Sequence, residues 1–162
     1  MIGLLQRVRS ASVEIDGETV ARIGSGLLVL IGIERDDTAA QAARLLERLL
    51  GYRVFDDRER RLNRSLRDLG PEQGGLLLVP QFTLAADTSS GARPSFTPAA
   101  PPGAARMLYS HFLQLSSAAW ASTQSGVFGV EMQVSLVNDG PVTFLLTVRR
   151  DLISPQDRGS PR

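Results

Sequence analysis

Strand-type runs outnumber helical ones along this chain, and the two helical stretches do not alternate regularly with them. That order argues against a doubly wound nucleotide fold and predicts an α+β protein with a curved, largely antiparallel sheet. Residues 1–9 alternate imperfectly, as an edge or half-buried strand does. Asp16-Gly17 separates strand-like residues 12–15 from 19–23 and suits the positive φ of a type I′ hairpin turn. Residues 26–33 are a continuous apolar run, suited to one fully buried strand. Residues 52–55, 75–79, 127–137 and 142–148 complete the expected strands. Thr38 and Gln41 have capping-box spacing ahead of Leu45, Leu46, Leu49 and Leu50, and Gly51 can end the element, so residues 38–50 read as a helix. A second helix over residues 102–122 puts Leu108, Phe112, Leu115 and Ala119 on one face. Residues 87–102, rich in Ser, Gly and Pro, read as an ordered loop. No repeat or linker interrupts the pattern. One domain over residues 1–150 is expected, with a polar tail over 151–162 that frays.

Composition removes most conventional chemistry. At 162 residues the chain is large enough to bury a core without disulfides or metal staples. It has no cysteine, hence no thiolate nucleophile and no Cys-ligated metal, in keeping with a cytoplasmic protein. All 18 basic residues are arginine, so no lysine can serve as Schiff base or general base. The single histidine, His111, falls inside the second expected helix, where packing is its ordinary role. No His/Cys cluster or paired carboxylates accompany the stretches described next, so neither a metal nor another cofactor is expected. The net charge of +1 does not announce a nucleic-acid binder. The arginines at 58, 60, 61, 64 and 67 are interleaved with Asp56, Asp57, Glu59 and Asp68, as in a solvated mixed-charge turn. No apolar run reaches about 18 residues, and the opening pattern alternates rather than resembling a signal peptide, so no membrane association is expected.

Two short stretches remain, each where an apolar strand runs out: Pro80-Gln81-Phe82-Thr83-Leu84 and Asn138-Asp139-Gly140-Pro141-Val142-Thr143. Neither holds a conventional catalytic group. Glycine permits dihedrals closed to other residues, and an X-Pro bond adopts cis at modest cost, so backbone geometry is the working part of the second stretch. Thr83 is the one visible hydroxyl of the first. It reads either as a strand-end residue bonding the backbone or as a participant in chemistry. No base is placed by sequence to activate it, which favours backbone N–H groups around residues 81–83 as an oxyanion hole for an ester.

Both stretches resemble signatures of the D-aminoacyl-tRNA deacylase (D-tyrosyl-tRNA(Tyr) deacylase) family, Ser-Gln-Phe-Thr-Leu and Asn-x-Gly-Pro-(Val/Phe)-Thr. The second matches in full. The first departs at Pro80, which lacks the family serine's hydroxyl and backbone N–H. The resemblance spans residues 1–148 and implies a small barrel-like sheet with two α-helices, assembled as a homodimer. It implies a hydrolase that cleaves the ester of D-aminoacyl-tRNA, and of mischarged glycyl-tRNA, in chiral proofreading of translation. Gln81, Phe82 and Thr83 would line the reaction centre through their amides, with a tRNA hydroxyl assisting. Pro80 would stiffen the approach. Phe128 and Met132, in Gly126-Val127-Phe128-Gly129-Val130-Glu131-Met132, would receive the 3′-terminal aminoacyl-adenosine. Gly140-Pro141 would be cis and inserted from the partner subunit. Its carbonyls would hold the substrate's α-amino group and leave no room for an L side chain.

Two other readings compete. One is an editing domain that removes a wrong L-amino acid, as the similar domain of archaeal threonyl-tRNA synthetases does; the intact Gly140-Pro141 argues against it. The other is a non-enzymatic nucleic-acid-binding module, which the weak net charge disfavours.

Overall fold

The computed structural model describes residues 1–149, and the tail expected over 151–162 lies outside them. The described elements run β1 (Ile2–Ile15), β2 (Glu18–Ile23), β3 (Gly26–Gly32), α1 (Ala39–Gly51), β4 (Phe55–Asp56), β5 (Leu62–Arg64), α2 (Leu66–Leu69), β6 (Gly75–Pro80), α3 (Pro102–Ala119), β7 (Thr123–Ser125) and β8 (Gln133–Thr147). A 3-10 turn over Phe82–Ala85 follows β6.

The main sheet has the order β2-β1-β3-β6-β7, and β8 pairs β1 along its other side, giving a nearly closed, barrel-like sheet. β1 pairs antiparallel with β2, β3 and β8. The β3–β6 and β6–β7 pairs are parallel. Parallel neighbours need a long crossover, and α1 and α3 lie within those two connections. The α+β expectation therefore holds with a mixed sheet, because each long helix bridges a parallel pair.

β3 and β6 are buried on both faces, which is why their sequences are continuously apolar rather than alternating. Leu27, Val29, Ile31, Leu76 and Leu78 pack with Leu45 and Leu49 of α1 and Phe112 of α3. Leu28, Leu77 and Val79 turn the other way, towards Val8, Val13 and Ile23. Thr38 and Gln41 form the expected capping box at the start of α1. The buried face of α3 is Ala105, Tyr109, Phe112 and Ser116, rotated from the expected one, and Ala119 is exposed. Two polar side chains sit in that face because both are satisfied. Tyr109 Oη donates to the Leu78 carbonyl at 3.1 Å, and Ser116 Oγ donates to the Phe112 carbonyl at 2.7 Å.

Several boundaries differ from expectation. Residues 1–9 and 12–15 join into the single strand β1. The runs at 127–137 and 142–148 become one strand, β8, which starts only at Gln133 and passes through Gly140-Pro141. Pairing with β1 continues on both sides of the pair, at Val8↔Asn138 and Gln6↔Thr143, across shifts in register. The Asn138 carboxamide bridges that irregularity by donating to the carbonyls of Arg7 (2.9 Å) and Val142 (3.0 Å). Residues 127–132 instead form a turn, with Gly129 at φ +77°. The strand expected at 52–55 contracts to β4, paired with β5. In the charged segment between them, Asp57 accepts bonds from the backbones of Glu59 and Arg61 and from the Asn63 side chain, closing a tight turn.

Candidate functional site

Pro80 ends β6. The Gln81 N–H donates to the Ile31 carbonyl of β3 at 2.7 Å. By strand alternation, an N–H at residue 80 would face the β7 side, where pairing with β6 ends at Leu78. A proline here therefore sacrifices no ladder bond. The chain then tightens into the 3-10 turn, which approaches β3 so closely that a Cβ on Gly32 would stand 2.8 Å from Leu84 Cβ. Within the turn, the Leu84 N–H donates to Gln81 O (3.3 Å), and the Ala86 N–H closes it on Thr83 O (3.2 Å). The N–H groups of Phe82 and Thr83 open the turn, where intrahelical acceptors are lacking, and no described residue accepts from either. The free amides are thus two, since that of Gln81 is committed to β3. Thr83 lies on the turn rather than at a strand end, and its Oγ1 accepts a bond from Gln81 Nε2.

A cavity of about 490 Å³ opens beside this turn, in the range of small-ligand sites. Val79, Pro80, Gln81 and Phe82 form one wall, and Phe128, Gly129, Val130, Met132 and Val134 form another. Ala100, Pro102 and Ala105 complete the lining. Of the expected site residues, Pro80, Gln81, Phe82, Phe128 and Met132 therefore meet at one cavity, whereas Thr83 is not among the residues that line it. None of its lining side chains is ionisable, and His111 does not border it. Phe128 is held from outside the cavity lining: the Tyr109 ring lies 5.9 Å away, and the Arg106 guanidinium sits 5.1 Å from the Phe128 centroid. Burial drives the Tyr109 phenol pKa far upward, so its hydroxyl stays a donor to Leu78. Gly126 leaves room for Met132, whose Sδ would lie 2.8 Å from a Cβ there.

The second stretch is built differently. Gly140-Pro141 is cis, and Gly140 has φ +132°, a conformation that L side chains rarely adopt. Beneath it, the buried Arg7 guanidinium donates from Nε to the Asp139 carbonyl (3.0 Å) and from Nη1 to the Val54 carbonyl (2.8 Å). It also faces the carboxylates of Asp56 at 3.5 Å and Asp139 at 3.4 Å. Arg9 pairs with Asp139 at 2.9 Å. Gly140 and Pro141 are exposed and do not border the cavity of their own chain. Val137, Phe144 and Leu145 of β8 are exposed as well.

Arg7, Arg106 and Tyr109 were not legible as site residues. The one sign of Arg7 is a charge between Leu5 and Val8 in an apolar strand; Arg106 and Tyr109 belong to a helix that looks purely structural.

An uncharged cavity with free amides at its edge suits an ester hydrolase that stabilises an oxyanion with its main chain. The chain belongs to the D-Tyr-tRNA(Tyr) deacylase family, whose model matches residues 4–147. It is 62% identical over 148 residues to the D-aminoacyl-tRNA deacylase of Thioalkalivibrio sulfidiphilus, covering 91% of this chain and 97% of that one. Against the D-aminoacyl-tRNA deacylase of Alkalilimnicola ehrlichii the identity is 58% over 149 residues, covering 92% and 97%. Among solved structures, the c-Myc DNA unwinding element binding protein overlays with a TM-score of 0.86 at 36% identity, covering 92% of this chain and 99% of that one. No described helix is long and apolar enough to cross a membrane.

Proposed function

We propose that the chain hydrolyses D-aminoacyl-tRNA in the cavity beside residues 80–83, using main-chain groups in place of catalytic side chains. The observation that carries this reading is the pair of unengaged N–H groups on the turn, at Phe82, which lines a cavity without ionisable walls, and at Thr83, the next residue along. The terminal adenosine occupies the side of Phe128 and Met132. Its ester carbonyl points at the two amides, which hold the negative charge that develops when water attacks the carbonyl carbon. The carbon–oxygen bond to the ribose then breaks, and the ribose oxygen regains a proton. The D-amino acid and free tRNA leave. With no base in the cavity, the neighbouring ribose hydroxyl relays the proton.

Gly140-Pro141 acts as the chiral filter, inserted into the cavity of a second copy of the chain. Its exposure on β8, beside Val137, Phe144 and Leu145, supports a homodimer that pairs along this edge. A carbonyl wall cannot swing aside as a rotamer can, so an L side chain is refused while a D side chain points away. Glycine, lacking a side chain, escapes exclusion. Binding of DNA, the property named for the c-Myc relative, finds less support in a net charge of +1.

The test is hydrolysis of matched D- and L-tyrosyl-tRNA by the purified protein. Turnover of the D ester with the L ester spared is expected. Equal rates would remove the filter, and preference for L would install the editing alternative. Sedimentation at micromolar concentration should give twice the chain mass.

A further inference from the structure

Two aromatic rings stand in solvent at the mouth of the cavity. Phe82 is 57% exposed and Phe96 43%, with centroids 5.1 Å apart and planes tilted by 53°. Phe82 borders the cavity; Phe96 does not, and extends the aromatic surface beyond it. Nor is Phe96 on a loose segment. Asp87 and Ser95 exchange backbone hydrogen bonds of 2.8 and 2.9 Å just ahead of it. Behind it, the Ala99 N–H donates to Phe96 O (3.0 Å) and the Ala100 N–H donates to Ile33 O (3.0 Å). Arg35 adds a bond from Nη2 to Thr97 O at 2.9 Å. A ring pinned on both sides and still left in water is prepared for a ligand. Arg93, exposed within the hairpin that the Asp87–Ser95 pair closes, makes no ion pair among the described residues.

We infer that Phe96, with Phe82, forms a stacking ledge for the base of the nucleotide preceding the terminal adenosine. The enzyme then grips the single-stranded end of its substrate rather than the esterified nucleotide alone. This inference rests on the deacylase reading above. If the adenosine fills the cavity, the strand must leave through the mouth, where the next base meets Phe96. Unpaired bases stack on exposed aromatic rings with little regard to sequence. That suits an enzyme that must accept many tRNAs.

The experiment compares wild type, Phe96→Ala and Phe96→Trp on two substrates: D-tyrosyl-tRNA and D-tyrosyl-adenosine, which lacks the preceding nucleotide. Phe96→Ala should raise KM for D-tyrosyl-tRNA by roughly five- to fiftyfold with kcat unchanged, leave D-tyrosyl-adenosine unaffected, and be rescued by Phe96→Trp. An unchanged KM for D-tyrosyl-tRNA would overturn the ledge. Equal losses on both substrates would also overturn it, since Phe96 would then only brace Phe82 and the amide turn. A wild type inert towards both D esters would instead sink the deacylase reading, and the ledge with it.

Discussion

In the stretch 80–84, residues 80–82 form part of the rim of a hollow, whereas Gly140 and Pro141, at the centre of the stretch 138–143, stand exposed and border no part of it. The first stretch leaves two successive amides unengaged, and the earlier of them belongs to Phe82, which borders about 490 Å³ of space. The second is anchored from below, with a buried guanidinium and a carboxamide between them holding the carbonyls of residues 7, 54, 139 and 142. An open recess and an anchored plug on one chain are the two parts that the proposed insertion of one chain's plug into another chain's recess requires. Rigidity is therefore concentrated in the plug, and unmet hydrogen-bonding capacity in the recess.

The contrast breaks most visibly if the plug loses its anchor. Arg7→Met strands the carbonyls of Val54 and Asp139, so a stability loss of about 2–4 kcal/mol is expected from urea unfolding at fixed protein concentration. The D-to-L ratio of the surviving folded protein should fall with it. A variant as stable as wild type would show that Arg7 does not hold the plug.

The recess is tested by deleting one amide. Replacing the peptide N–H of residue 83 with an ester oxygen, by hydroxy-acid incorporation, should lower kcat roughly 100- to 1,000-fold. Thr83→Ala, which keeps the amide, should stay within about tenfold, a barrier change of roughly 1.4 kcal/mol. If Thr83→Ala loses as much as the ester variant in single-turnover assays, the hydroxyl is the working group.

Gly140→Ala probes the plug more gently. Its new Cβ would lie 2.7 Å from Val142 Cγ2 and 3.0 Å from the Val142 amide nitrogen, at a φ suited to glycine. We expect a stability loss of about 1–3 kcal/mol and a smaller D-to-L ratio in kcat/KM. An unchanged ratio would separate Gly140 from chiral selection.

The smallest effect is expected from chelation. Among the described residues no group of three or more His, Asp or Glu could hold a metal ion. Activity should therefore survive exhaustive EDTA treatment. Loss restored by one divalent ion at low concentration would replace both halves of the comparison with metal chemistry.

How far the sequence could be read follows the same division. Strand and helix positions emerged from apolar runs because burial imposes them locally: Leu27 to Ile31 had to be covered on both faces, and Thr38 with Gln41 announced a helix start. Parallel pairing did not emerge, since it depends on which strands become neighbours after α1 and α3 cross over. The face of α3 was misplaced because Tyr109 and Ser116 look polar until Leu78 O and Phe112 O are there to accept from them. Pro80, Gln81, Phe82, Phe128 and Met132 were named from short motifs, and they border one cavity. That Gln81 spends its amide on Ile31, leaving only Phe82 and Thr83 free, required the register of β6 against β3.

The long pairing of β1 with β8 has a consequence for how the protein is made. Ile2 lies opposite Thr147, and Glu14 lies opposite Gln133, so the first strand waits for the last described one. During synthesis from the N-terminus, β1 can zip onto β2 and β3 early while its other edge stays open. Pairings this distant in sequence close late and slowly. The strand that closes the edge is the one carrying residues 138–143. That strand also supplies Val134 to the cavity wall, so the recess and residues 138–143 are completed by the same late event, and a chain that stops short of β8 would display an unsheathed β1 edge and a cavity with one wall unfinished.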